Sequence, residues 1–178
     1  MSAFAGLFLS PFVVSKGVAG TKVPRTHGPV TRKVVKQSYN EVPGTIVISN
    51  SKRILDVVLD NQTVARYKIA IGREGFTWTG TVTVGSKRDW PEWRPPAEMR
   101  KREPDLPQMV PPGPFNPLGA RAIYLFRGGR DTLYRIHGTN DADSVGEIAT
   151  AGCFRMTNAD ILELYKKVSI GTKVVVNE

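Results

Sequence analysis

Between residues 45 and 84 the chain runs in short β-branched stretches, apolar against polar, broken by Asn, Ser and Gly. Thr45-Ile46-Val47-Ile48 and the run from Arg53 to Leu59 flank Asn50-Ser51, which predicts a hairpin. Thr63 to Ile71 follows, with Val64, Tyr67, Ile69 and Ile71 at or near the buried phase, and stops at Gly72. Thr79 to Val84 is another short strand, marked off by Gly80 and Gly85. Two more are predicted at Ala120 to Phe126 and Thr132 to Ile136, around Gly128-Gly129, and a last one at Thr172 to Val176. One stretch has a clear helical period. Ile161, Leu162, Leu164, Tyr165 and Val168 form its apolar face, and Thr157 can cap it with Asp160 three residues on. The chain is therefore mainly β, a sandwich or barrel-like pair of sheets with one helix, and it carries no internal repeat.

Residues 86–119 interrupt this pattern with nine of the 13 prolines, together with Trp90 and Trp93. Proline cannot donate to a sheet ladder, so the segment is an excursion and not a set of central strands. Long loops inside compact domains commonly serve as lids or binding loops, and a cover over a sheet edge is the structural alternative.

Composition narrows the picture. A chain of 178 residues, 40% apolar and 23% charged, is long enough to bury a core without staples and is neither disordered nor fibrous. With one Cys, no intramolecular disulfide can form. The net charge of +9 is uneven: residues 1–45 hold six bases and one acid, while the rest of the chain is nearly balanced. A basic leader on a balanced body fits attraction to lipid head groups, nucleic acid or an acidic wall polymer, but no aromatic-basic platform for nucleic acid is present in the body. Ala3 to Val14 is an apolar run of 12, too short to span a bilayer. With Gly17-Val18-Ala19 behind it, it reads as a signal-like export segment, residues 1–19, though without the usual basic n-region. Residues 20–43, with Pro24, Pro29, Pro43 and scattered bases, read as a flexible basic linker, and 44–178 as the folded domain.

Three chemistries are conceivable for these residues. Gly72 to Gly75 and Gly128-Gly129 lack the lysine and the strand-to-helix setting of a phosphate cradle. A metal site fails on ligand count, because His27 sits in the leader and leaves one His and one Cys. The third is a cysteine nucleophile with a histidine base. His137 ends a predicted strand, and Cys153 lies 16 positions on in Thr150-Ala151-Gly152-Cys153-Phe154-Arg155. An ordinary thiol is only a few per cent thiolate at neutral pH and needs an imidazole or a positive neighbour. The imidazole in turn needs its second nitrogen tied to an acceptor. Gly152 leaves room for substrate near backbone N–H groups at 152 and 153, which could hold an oxyanion, and Arg155 adds a fixed charge. Each residue alone also has a bland role: a lone Cys is often a small apolar filler, and a His at a strand end a satisfied surface group. Asp141 and Asp143 read as solvated turn acids.

Ile136-His137-Gly138-Thr139, Ser144-Val145-Gly146, Gly152-Cys153-Phe154-Arg155-Met156-Thr157-Asn158-Ala159-Asp160 and Leu164-Tyr165 together closely resemble the L,D-transpeptidase family with the YkuD-type catalytic domain. The likeness extends upstream through Gly80-Thr81, Trp93-Arg94-Pro95-Pro96, Pro111 to Pro114 and Asn116 to Ala122, and so covers about residues 44–176. The resemblance implies a periplasmic or wall-facing cysteine acyltransferase acting on peptidoglycan stem peptides, with no metal or organic cofactor. Cys153 would attack the L-centre of a diamino acid, expelling terminal D-Ala, and an amine of a second stem peptide would resolve the thioester into a 3→3 crosslink. His137 would be base and then acid, with the Gly138 carbonyl orienting its ring. Arg155, Thr150, Trp93 and Tyr124 would face substrate, the Pro-rich excursion would be a lid, and carbapenem-type β-lactams would acylate the cysteine. Related outcomes are an L,D-carboxypeptidase, attachment of an outer-membrane protein to the wall, and, from a different class, an inactive wall-binding module. One departure stands out. Ala151 occupies the place of a second histidine found in many relatives.

Overall fold

The computed structural model of the chain describes residues 27–178. The predicted export segment and residues 20–26 of the linker lie outside the described residues.

Short apolar runs become strands because their alternate side chains fall on one face and can be buried together. In chain order these are β1 (Lys33–Lys36), β2 (Ile46–Ser49), β3 (Ile54–Val58), β4 (Thr63–Lys68), the two-residue β5 (Ile71–Gly72) and β6 (Gly80–Asp89). A short helix, α1 (Ala97–Arg102), lies inside the Pro-rich excursion. Then follow β7 (Arg121–Arg127), β8 (Arg130–His137), β9 (Ile148–Thr150), β10 (Phe154–Arg155), the helix α2 (Asn158–Lys167) and β11 (Lys173–Asn177).

Nine of these strands form one sheet in the order β1-β4-β3-β2-β11-β6-β7-β8-β10, and β5 pairs with β9 in a second. The long sheet curls. Ala70, just past β4, exchanges both backbone hydrogen bonds with Arg155 of the terminal strand β10, at 2.8 and 3.0 Å. This near-closure is the barrel-like architecture read from the sequence. Its interior holds Ile46, Ile48, Leu55, Tyr67, Val82, Ile123, Leu125, Ile136, Phe154 and Val174, with Ile161, Leu164 and Val168 packed in from α2 and its end. Each fully buried aliphatic or aromatic side chain is worth about 1.5–3 kcal/mol relative to exposure, so this cluster is the main source of cohesion.

The helix forms as predicted. Thr157 is its N-cap in extended conformation, and its hydroxyl accepts the Asp160 N–H at 3.1 Å. The Asp160 carboxylate does not turn back on the cap. It accepts the Thr31 N–H at 3.1 Å and the Thr31 hydroxyl at 2.6 Å. That contact corrects the reading of a flexible linker for its described part, residues 27–43. Among residues 27–43, β1 adds an antiparallel edge to β4, and the His27 carbonyl accepts the Ala159 N–H. A four-residue edge strand flanked by lysines protects the sheet from further pairing and looks, in sequence, like a basic tether.

Two other differences concern the excursion. β6 runs on to Asp89, through a register shift between Val84 and Ser86, so the excursion starts at about residue 90 instead of 86. The segment is also internally built. Trp93 and Val110 exchange backbone hydrogen bonds, and the Asn116 amide donates to the carbonyls of Pro91, Val110 and Pro111 while its oxygen accepts the Leu118 N–H. Carbonyls left without ladder partners by a proline-rich chain are thereby satisfied.

Candidate active site

β8 and β10 lie side by side in parallel register, Ile136 opposite Phe154 and His137 opposite Arg155. Ile136 and Phe154 are buried in the core. Period-two alternation therefore sends Arg135, His137 and Arg155 to the other face, joined by Cys153 one residue before β10. Tyr124, paired with Arg135 across β7 and β8, shares that face. Two neighbouring strand ends thus gather residues 18 positions apart in the chain.

The nucleophile turn is rigid. The Thr150 hydroxyl donates to the Cys153 carbonyl at 2.6 Å and accepts the Gly152 N–H at 3.3 Å. Gly152 has φ +105°, and a Cβ there would run into the Tyr134 ring and the Phe76 carbonyl, so no other residue fits. Its carbonyl accepts the indole N–H of Trp78 at 3.0 Å, and Trp78 stacks on Tyr134 with centroids 4.7 Å apart. Thr150 accordingly braces the turn from within. Of the two amides read as an oxyanion pair, Gly152 N–H is directed at Thr150, and that of Cys153 makes no hydrogen bond among the described residues.

His137 is buried, and its Nδ1 lies 2.6 Å from the Gly138 carbonyl. A carbonyl can only accept, so Nδ1 carries the proton and Nε2 is left as a lone-pair base. Burial, then the Arg155 guanidinium and more weakly that of Arg135, pull its pKa from 6.5 down to about 3, with the Gly138 carbonyl opposing. The carbonyl is itself fixed. The Asn158 amide oxygen accepts the N–H groups of Ala120 and Thr139 at 2.9 and 3.1 Å, and its NH₂ donates to the Thr139 carbonyl at 2.8 Å. A Cβ at Gly138 would collide with that amide. Asn158 is the residue whose role sequence reasoning missed. It appears in the chain as one more helix-start amide, and only the fold reveals that it clamps the histidine loop.

Cys153 is a half-buried free thiol. Burial pushes its pKa above the ordinary value, and the Arg135 backbone N–H, then the Arg135 and Arg155 charges, offset this in part. Both shifts favour the neutral pair, Cys–SH beside neutral imidazole, over the ion pair. The sulfur makes no hydrogen bond to His137 here; its polar partners are the Leu133 carbonyl at 3.9 Å and the Arg135 backbone N–H. Arg155 donates to the Ser144 hydroxyl at 2.8 Å, while its Nε is buried without a partner. Burial draws its pKa down, and Asp141 compensates electrostatically. Asp141 thus acts on the arginine and has no contact with the histidine.

The excursion reaches this site from one side. Arg102 of α1 lies 5.0 Å over the Phe76 ring, and the Phe76 carbonyl packs on Gly152. On the other side, beyond Gly138, a groove of about 360 Å³ is lined by Trp90, Pro112, Pro114, Asn116, Thr139 and Asn140. Its aromatic wall is Trp90. Trp93 instead serves the internal bridge to Val110. Among the described residues no cluster of metal-ligating side chains occurs.

The curled β-sheet thus presents a cysteine and a singly tautomeric histidine at the neighbouring ends of two parallel strands. Residues 43–176 match the model of the YkuD L,D-transpeptidase catalytic domain. The Escherichia coli protein named "Probable L,D-transpeptidase ErfK/SrfK" is 37% identical over 139 residues, 74% of this chain and 43% of that protein. A Bacillus subtilis relative carrying the same family name, YqjB, is 32% identical over 143 residues, 78% of this chain and 75% of its own length. A Brucella melitensis crystal structure bearing the name "Probable carnitine operon oxidoreductase caia" is 44% identical, covers 82% of this chain and 92% of its own, and superposes with TM-score 0.56. An Enterococcus faecium L,D-transpeptidase structure, 15% identical over 76% of this chain and 50% of its own, shares the fold with TM-score 0.58. The chain belongs to the L,D-transpeptidase family, whose members are acyltransferases. It spans less than half the length of the E. coli relatives it matches.

Proposed function

We propose that this chain is a cysteine L,D-transpeptidase of the periplasm that joins peptidoglycan stem peptides through a thioester acyl-enzyme. The observation that carries the reading is the pairing of β8 with β10, which sets Cys153 and His137 on one face with Nδ1 tied to the Gly138 carbonyl and Nε2 unprotonated. The donor is a tetrapeptide. The Cys153 sulfur attacks the carbonyl carbon of the diamino acid at its L-centre as its proton passes to His137 Nε2. The tetrahedral oxyanion faces the unpartnered Cys153 N–H. Its collapse breaks the C–N bond to D-Ala, which leaves with the proton from His137. An acceptor amine then adds to the thioester, gives its proton to the same nitrogen, and expels the sulfur, which is reprotonated. Neutral imidazole at rest leaves Nε2 free to take a proton at the start of each half, while its burial opposes the charge it then carries. Arg155 and Tyr124 bind or orient the anionic donor from the same face, and the excursion from Trp93 onward acts as a lid.

Incubation of the purified chain with tetrapeptide donor and a second stem peptide, followed by mass spectrometry of the products, tests this. Crosslinked dimer with one D-Ala released per bond is the expected outcome. D-Ala release without dimer assigns a carboxypeptidase, and dimer formed only with a protein amine assigns wall anchoring. No D-Ala release from the folded chain contradicts the reading and leaves a wall-binding role.

A further inference from the structure

β8 departs from a plain ladder between Asp131 and Arg135. Tyr124 lies opposite Arg135 and Phe126 opposite Asp131, so one residue of β7 faces three of β8. Leu133, in the middle, has φ +64°, a left-handed conformation that costs a non-glycine residue about 1–3 kcal/mol. Its side chain is 67% exposed, so packing does not return that cost.

Side chains hold the distortion in place. Asp131 accepts the Leu133 N–H at 2.8 Å and takes the Arg135 guanidinium on both oxygens, at 2.7 and 2.8 Å. That guanidinium lies 4.0 Å over the Tyr124 ring. The Thr132 hydroxyl donates to the Leu125 carbonyl at 2.7 Å and accepts the Tyr134 N–H at 3.2 Å. The outcome is a Leu133 carbonyl aimed at the Cys153 sulfur. Bulges re-aim backbone groups beside active sites in this manner. Along β8, Leu133 lies on one side of Arg135 and His137 on the other, and the sulfur's hydrogen bond goes to the Leu133 carbonyl and not to the imidazole.

We propose that the Asp131–Arg135 bulge is a positioning device for the nucleophile: it parks the Cys153 S–H on the Leu133 carbonyl, and release of that contact turns the sulfur toward His137 Nε2. The inference rests on the reading of Cys153 as nucleophile. A carbonyl acceptor stabilises the protonated thiol, the Arg135 backbone N–H and guanidinium charge stabilise the thiolate, and the Asp131 charge opposes them. The other charged group acting on the sulfur is Arg155 of β10, itself balanced by Asp141; His137 shares its face of β8, and Tyr134 packs on the neighbouring Gly152. Arg73 and Glu74, on the loop packed against Gly152, are exposed.

Alkylation of Cys153 in the full chain by iodoacetamide, followed by mass at pH values from about 5 to 9, reads the thiolate without any wall substrate. A shift of half a pKa unit is about threefold in rate below the pKa. Asp131→Asn keeps an acceptor for the Leu133 N–H but removes the anion, and is expected to alkylate about threefold faster at neutral pH. Arg135→Gln is expected to alkylate about threefold more slowly, and Arg135→Lys to restore the wild-type rate. Thermal melts confirm that each variant is folded. Slowing in both Asp131→Asn and Arg135→Gln, no change in either, or an Arg135→Lys rate as low as that of Arg135→Gln would overturn the proposal. These rates stand apart from peptide turnover, so a failed transpeptidation assay leaves them readable.

Discussion

The two faces of β8 and β10 answer to different demands. On the inner face Ile136 and Phe154 are sealed in the core, and nothing is asked of them beyond volume and shape. On the outer face, one peptide unit away, His137, Arg135, Arg155 and Cys153 are the groups to which the proposed chemistry is assigned. Placing the proposed reactive face on the back of core strands lets packing energy hold its geometry, which a loop could not do as tightly. The cost shows on the outer face: a histidine that cannot easily charge, a buried Arg155 Nε without a partner and a strained Leu133.

Substitutions that separate the faces test this division. Cys153→Ala should lower peptide transfer by at least about a thousandfold while moving the urea unfolding free energy by no more than about 0.5 kcal/mol. Parallel activity and unfolding measurements check both halves. His137→Gln should cost about a hundredfold to ten-thousandfold in acylation rate, as expected for loss of a general base. The same variant has a signature in stability. The histidine pKa is about 3 folded against an ordinary 6.5, so the unfolded chain binds the extra proton between those values and the native state loses stability as pH falls from 6.5 toward 3. Thermal melts across that window should decline less steeply in His137→Gln than in wild type.

On the inner face the order reverses. Ile136→Ala should cost about 2–5 kcal/mol in urea unfolding, because the side chain is fully buried, with Cys153 still alkylated by a small reagent below the transition. The smallest effect is expected away from both faces, at the helix cap. Thr157→Ala removes the acceptor for the Asp160 N–H and should cost about 1 kcal/mol in the same assay.

Local signals made much of this legible in the chain. The Asn50-Ser51 hairpin, the Gly128-Gly129 turn and the Thr157 cap each depend on a few neighbouring residues, and each forms as read. The pairing of β8 with β10 was reachable only through the family motif, because parallel neighbours separated by a long connection leave no mark in periodicity. Two errors share one cause. Lys33–Lys36 and residues 86–89 are strands with polar or solvent-facing positions, so their sequence lacks the apolar alternation that betrays a buried face. α1 was hidden for a related reason: with no buried residue, its charged sequence has no apolar stripe to read. The Leu133 bulge lies further out of reach, since an exposed leucine at positive φ contradicts its own preference and is held there by Asp131.

The proposed reaction turns on which atom carries the acyl group. Intact mass of the chain after rapid quench with a tetrapeptide donor, with peptide mapping of the modified residue, addresses it directly. One tripeptidyl adduct on Cys153, labile to hydroxylamine and absent from His137→Gln at the same early time, is the predicted result. A folded wild-type chain that releases D-Ala with no adduct at Cys153, or with the adduct on another residue, would contradict it.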